Sequence, residues 1–258
     1  MFEELSRSLA EAWRGCATIP LPAATCAPRS RADAFAIQDK MAKLLGDRCV
    51  GWKVGAAVRA VQVLEGHDGP IVGRLFAPRI YAGPAQIPPM FDGYKIECEF
   101  AFRFRKNVPP RAVAYTRAEL ESLLALYPGL EVAGSRYTAQ EGSRKATTHD
   151  AIADNGSAGA YVVGDAIAHW HRIDLAALAI EARIDGAEAI HTYSGEYRRD
   201  PVDIAVETVN GLGERGIGLA SGDLLSTGSL TLPTPLHCGQ TYVARFGDLA
   251  TLAVSVSR

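Results

Sequence analysis

The apolar positions of this chain keep two rhythms. Early on they recur every three or four residues. Phe2, Leu5, Leu9 and Trp13 lie near one stripe and predict an amphipathic helix over 2–14. A Pro-rich connector, IPLPAATCAP, follows. Ser30 then stands three residues before Asp33, a variant of the capping box. Ile37, Met41, Leu44 and Leu45 carry the stripe of a second helix, which Gly46 suits to end. The strongest helical pattern is TRAELESLLALYPG. Thr116 and Glu119 form its capping box, Leu120, Leu123, Leu124 and Tyr127 its stripe, and Pro128-Gly129 its stop. Asp200-Pro201 opens a further helix reaching about Gly213.

The second rhythm is alternation or short apolar runs, which predict strands. CVGWKVG (49–55), GYKIECEFAFRF (93–104), LEVAGSRY (130–137), SAGAYVVG, GDLLSTGSL, QTYVARFG and LATLAVSVS read this way. LAIEARIDGAEAIHTYS reads as two strands about an Asp185-Gly186 hairpin turn. Residues 66–93, rich in Gly and Pro, predict loop and short strand, and the polar stretch 138–156 a long functional loop with some helix. Helices come first, then strands with a few inserted helices. The pattern is therefore α/β with a mixed sheet, and the missing strand–helix alternation argues against a Rossmann fold or a TIM barrel. At 258 residues the chain predicts a single domain over 1–258, with 1–48 as its helical N-terminal part.

One strand carries charge where its neighbours are apolar. In residues 93–104 the period of two puts Cys98, Phe100, Phe102 and Phe104 on one face. Lys95, Glu97, Glu99, Ala101 and Arg103 take the other. Glu97 and Glu99 are then roughly 6–7 Å apart at the backbone, and like charges that close repel, more so when buried. Either a neighbouring Lys95 or Arg103 sits between them, or a metal ion does. Glu131, in the apolar stretch PGLEVAG, is a third carboxylate that is costly to bury unpaired. Three carboxylates with oxygen donors only suit a hard divalent cation such as Mg²⁺ or Mn²⁺, with octahedral positions left for water and substrate.

Composition narrows the partners. A net charge of −2 gives no electrostatic reason to expect nucleic acid or an anionic membrane surface. No run reaches 18 apolar residues, and the acidic, amphipathic N-terminus does not read as a signal peptide. Five scattered cysteines without a C-x-x-C motif fit reduced thiols in a cytoplasm. The six histidines read as surface or loop residues; His149, beside ADNG, is the one placed to matter. GLGERG (211–216) follows no strand and reads as a helix terminus.

Seven segments in order, AFAIQDKM, GWKVG, IECEFAF, LEVAGSRY, IADNGSAGAYVVG, LLSTGSL and ARFGDLATLAV, resemble the 2-keto-4-pentenoate hydratase family of the fumarylacetoacetate hydrolase superfamily. They run from about residue 34 to 255. The resemblance implies a mixed, curved sheet and a lyase, hydratase or decarboxylase, acting on a small 2-keto or 2-hydroxydienoic acid from aromatic breakdown. It implies Mg²⁺ or Mn²⁺ held by Glu97, Glu99 and Glu131, and Lys53 at the active site. Asp154 and the Thr227-Gly228-Ser229 turn would lie close to the substrate, and the chain would form a homo-oligomer. Against plain turn chemistry, the hydroxyls of Thr227 and Ser229 and nearby N–H groups are able to bind carboxylate oxygens. Two departures bear on the substrate. Pro78 stands where the family pattern has an Asp, and HTYSGEYRRDPVD replaces a Gly-rich segment, so Arg198 and Arg199 either serve a longer or more acidic substrate or are solvated. The alternatives are an acylpyruvate-type C–C hydrolase of the same superfamily and a non-catalytic keto-acid-binding homologue.

Overall fold

The helices form where caps and stripes coincide. In the computed structural model, which describes residues 2–258, α1 spans Glu3–Gly15 and β1 Ile19–Pro20. The Ser30 hydroxyl accepts the Asp33 N–H at the head of α2 (Arg31–Leu45), and Gly46 closes that helix in the left-handed region. Next come β2 (Cys49–Gly55), α3 (Arg59–Glu65), β3 (Ile71–Phe76), β4 (Ile80–Ala82), β5 (Ala85–Ile87) and β6 (Lys95–Phe104). Then α4 (Arg117–Glu121), β7 (Leu124–Ala133), β8 (Tyr137–Thr138), α5 (Thr148–Ala153), β9 (Ala158–Val163) and β10 (Ile180–Ile184) follow. The chain closes with α6 (Pro201–Glu214), β11 (Leu224–Ser229), β12 (Thr234–Pro235), β13 (Thr241–Phe246) and β14 (Ala250–Val256).

The strands make a mixed eight-stranded sheet in the order β3-β2-β11-β6-β7-β9-β4, with β12 also on β6, and a four-stranded sheet, β10-β13-β14-β5. β6 is central, antiparallel to both β11 and β7. Its Phe face meets the smaller sheet: Phe100 and Phe246 pack with ring centroids 5.6 Å apart, inside a core that also holds Phe102, Trp170 and Tyr242. A second cluster joins α1 and α2 to β3 and α5 through Leu9, Trp13, Ile37, Met41, Phe76 and Ile152. The fold is therefore the expected α/β class with a curved mixed sheet. No helix among the described residues is long and apolar enough to cross a membrane.

Two expectations need correction. The capping box at Thr116 and Glu119 forms, but α4 stops at Glu121, and the rest of the expected helix belongs to β7. Leu124, Leu126, Leu130 and Val132 also satisfy a period of two, and all four are buried on one face. Ten-residue pairing with β6 outweighs the helical stripe, because tertiary burial decides between two periods that local sequence satisfies equally. Second, Asp185-Gly186 does turn, with both φ values positive, but only β10 forms on its N-terminal side. β10 takes its ladder from β13 instead. Residues 66–93 carry the expected loop and short strands, the longest of which, β3, pairs antiparallel along β2.

Candidate metal centre and cavity

The acidic face of β6 owes its third member to register. Glu97 is the direct partner of Glu131 across the β6–β7 ladder, and Glu99 is the partner of Gly129. Gly129 has no side chain for a reason of space: a Cβ there would lie 2.0 Å from the Tyr161 hydroxyl oxygen. The Tyr161 ring, from β9, fills that gap and brings its hydroxyl toward Glu99. Glu97, Glu99 and Glu131 each offer a carboxylate oxygen, and the three lie within 4.8 Å of one another. Like charges directly opposite on neighbouring strands destabilise a sheet. This arrangement needs a cation.

Lys53, on β2, is the nearest protein cation. Its ammonium is 3.3 Å from Glu131 Oε1, with both side chains almost fully buried. Burial alone would lower the Lys53 pKa, but Glu131, Glu97 and Glu99 outweigh it, and the value lies above that of an ordinary lysine. One ammonium does not satisfy three carboxylates. Both oxygens of Glu99 and both of Glu131 are buried without a hydrogen bond; Glu131 Oε1 is within ion-pair range of Lys53 but badly angled for one. Burial, reinforced by Glu131 and Glu97, pushes Glu99 well above the ordinary carboxylate value, and burial pushes Glu131 up to about 7. Four buried, unpartnered carboxylate oxygens beside a cavity are the environment a hard divalent cation would complete, so the donor set fits Mg²⁺ or Mn²⁺. Neither Lys95 nor Arg103 has an ion pair with Glu97 or Glu99 among the described residues, so the pairing reading has no support here.

A cavity of about 310 Å³ opens over this set. Lys53, Glu97, Thr227, Gly228 and Ser229 line it, while Glu99 and Glu131 lie beneath. The β11–β6 register slips between Ser226 and Ser229, and Gly228 takes φ +91°, a conformation that favours glycine. The Thr227 hydroxyl is committed to the Phe100 carbonyl at 2.9 Å, and that of Ser229 to the Thr231 carbonyl at 2.5 Å.

Asp154 is placed differently from the expectation. It is fully buried, it is not among the cavity's lining residues, and its carboxylate accepts from Arg136 Nη1 at 2.8 Å and from the Arg136 backbone N–H at 2.7 Å. Its neighbour Asn155 clamps the Arg74 backbone in both directions. The Arg136 bonds anchor the chain next to residues 133–135, which do line the cavity. Pro78 occupies a 3₁₀ turn, Ala77–Arg79, and also lies off the cavity. Arg198 and Arg199 both line it. Arg199 is paired with Glu207, and Arg198 donates to the carbonyls of Leu175 and Leu178, so neither is freely solvated. His149 is not on the cavity; His67 is, with Glu65 beside it. Sequence reading missed Tyr161, Arg136, Glu65 and His67. The Glu-x-His spacing after GWKVG was the visible signal for the last two.

No protein-family model matches the chain. A curated relative, the 2-keto-4-pentenoate hydratase of Burkholderia vietnamiensis, is 28% identical over 233 residues, covering 88% of this chain and 87% of that protein. Among solved structures, a 4-oxalocrotonate decarboxylase from Pseudomonas putida, complexed with magnesium and adipate, superposes with TM-score 0.84. It is 21% identical and covers 99% of this chain and 97% of that one. A fumarylpyruvate hydrolase from Pseudomonas aeruginosa, in complex with Mn²⁺ and pyruvate, gives TM-score 0.56 at 18% identity, covering 82% and 90%. The resemblance read from the seven segments thus extends along most of the chain.

Proposed function

We propose that this chain, a relative of the 2-keto-4-pentenoate hydratases with the fumarylacetoacetate-hydrolase-like fold, is a divalent-metal-dependent lyase. It hydrates or decarboxylates a small 2-keto or 2-hydroxydienoic acid, as in the breakdown of aromatic compounds. The observation that carries the reading is the trio of half-buried Glu97 on the cavity wall with fully buried Glu99 and Glu131, whose oxygens make no hydrogen bond. When bound there, Mg²⁺ or Mn²⁺ supplies Lewis acidity and stabilises negative charge on a substrate oxygen.

The chain's own groups supply the rest. Lys53 presents a charged ammonium at the cavity wall and holds the substrate carboxylate. The register slip at Gly228 brings Gly228 and Ser229 to the cavity, where their backbone N–H groups would bind carboxylate oxygens. Thr227 supports this turn through its bond to Phe100. Asp154 holds Arg136, and through it the opposite wall, and is a positioning residue. The enzyme works in the cytoplasm, where its five unpaired thiols stay reduced, as one domain over 1–258 with 1–48 its helical part. It self-associates, an inference from resemblance alone.

The test is a thermal-shift titration with Mg²⁺ and Mn²⁺, with and without oxalate. Melting should rise with metal, and oxalate should add to the rise only when metal is present. Incubation with 2-hydroxypenta-2,4-dienoate and with 4-oxalocrotonate then separates hydration from loss of CO₂. Hydrolysis of an acylpyruvate instead would favour the hydrolase alternative, and metal-dependent oxalate binding without any turnover the non-catalytic one. No metal-dependent shift at all would remove the reading.

A further inference from the structure

The cavity has a second chemical end that the metal reading does not use. Glu65 is the last residue of α3, and His67 follows two positions later. Both line the cavity, and His67 Nε2 stands 3.8 Å from Glu65 Oε2. On its other side, His67 Nδ1 is 3.4 Å from the Thr148 hydroxyl, which itself accepts the Asp68 N–H at 3.0 Å. The ring is thus held between a carboxylate and a hydroxyl. Among the described residues neither Glu65 nor His67 has another ion-pair partner.

The other charged groups along this cavity offer no free base. Lys53 is held charged by the acidic trio and, in the lyase reading, faces the substrate carboxylate; Lys95 is a cation, Arg199 is paired with Glu207, and Glu97 belongs to the trio. Asp154 is buried against Arg136, and Pro78 has no proton to offer. Glu65 is the one cavity carboxylate outside the trio, and His67 the one cavity imidazole, among the described residues. Both sit on the segment between β2 and β3 and are partly exposed, so protons reach solvent from here.

We propose that Glu65 and His67 are the acid–base pair that takes a proton from, and returns it to, the substrate carbon next to the keto group. The inference rests on the lyase reading. Glu65 accepts the proton from C3 of a 2-keto acid. The C–H bond breaks, and its electron pair forms the C2–C3 double bond of an enolate, with the charge on the former keto oxygen. The proton then passes through His67 to water, and the reverse sequence restores the C–H bond. The environment agrees with this role. Burial, with Glu97 nearby, pushes Glu65 up to about 7, and burial, with Lys53 nearby, lowers His67 below the ordinary histidine value. Raising the carboxyl and lowering the imidazole narrows the gap between the two groups, which reduces the thermodynamic cost of passing a proton between them.

The test follows deuterium exchange at C3 of 2-oxobutanoate in D₂O by proton NMR, with Mn²⁺ replaced by Mg²⁺ to avoid line broadening. The chains are wild type, Glu65→Gln and His67→Asn. A second readout is calorimetric binding of oxalate in the presence of Mg²⁺. We expect both variants to lose roughly 100-fold or more in exchange rate, the size of general acid–base assistance, while oxalate affinity stays within about threefold and melting is unchanged. Exchange within about threefold of wild type in both variants would overturn the pair. So would a parallel loss of oxalate affinity, which would make them ligand-holding groups. If wild type binds oxalate with metal but does not exchange C3 protons, the pair falls and the metal reading stands; if wild type does neither, both fall.

Discussion

Two buried charge clusters lie close together in this protein and are built on opposite terms. The Arg136–Asp154 pair is fully enclosed, yet its carboxylate takes two bonds from Arg136, and the guanidinium also donates to the Ala158 carbonyl and lies 4.3 Å over the Trp13 ring. In the Glu97–Glu99–Glu131 trio, Glu99 and Glu131 are equally enclosed and Glu97 half-buried, but one Lys53 faces three carboxylates and four oxygens make no hydrogen bond. A satisfied buried ion pair is part of the scaffold. A buried cluster of one sign with unbonded oxygens, beside a cavity, is a donor set suited to a cation.

The same chemical change should therefore act in opposite directions in the two places. Asp154→Asn removes the partner of a buried arginine and should cost about 3–5 kcal/mol. That is a melting point lower by about 10 °C at this chain length. A drop of only a degree or two by calorimetry would mean that Arg136 is held by its other contacts. Glu99→Gln should leave the metal-free melting point unchanged or raise it, because burial and its acidic neighbours already favour a neutral side chain there. It should also abolish the metal-dependent rise in melting. A Glu99→Gln protein that melts well below wild type without metal would erase the contrast between the clusters.

Acidity offers a gentler probe. The Glu131 carboxyl has its pKa raised from 4.5 to about 7, so the folded chain favours its neutral form. A raised carboxyl stabilises the metal-free protein below about pH 4.5, and that contribution is lost as pH rises to about 7. Metal must displace the same protons, so Mg²⁺ affinity should climb from pH 6 to pH 8, with proton release that shrinks over the range. Calorimetry in buffers of different ionisation enthalpy measures this directly, and a pH-independent affinity would contradict it. The smallest effect should come from Tyr161→Phe. With no hydrogen bond to lose, melting should move by less than about 1 kcal/mol in equivalent stability. Mg²⁺ affinity should fall by about 10-fold if the hydroxyl orients Glu99 once the ion is bound.

How far the sequence could be read depended on whether a feature was local. The strand at 95–104 was legible because its alternation has a single reading: four aromatic or thiol side chains one way, two carboxylates the other. The caps at Ser30, Thr116 and Asp200 were legible because a cap is a bond between near neighbours in the chain. The stretch 120–127 was not, since Leu120, Leu123, Leu124 and Tyr127 fit a helix while Leu124 and Leu126 fit a strand, and only the neighbouring β6 broke the tie. Asp154 looked like a substrate group because nothing in ADN reveals that Arg136, 18 residues earlier, folds back onto it. Glu65 and His67 were passed over because no periodicity marks a loop residue that faces a cavity.

By itself, then, the sequence determined that Glu97 and Glu99 share a face and that Glu131 lies in an apolar strand, since side-chain alternation is a property of the backbone of each strand alone. Only the tertiary structure decided that Glu131 stands opposite Glu97, that Lys53 reaches one carboxylate and no arginine reaches the others, and that a cavity opens above them. Register, burial and counter-charge depend on which strands become neighbours, and that is settled by packing of the whole core rather than by any short stretch of it.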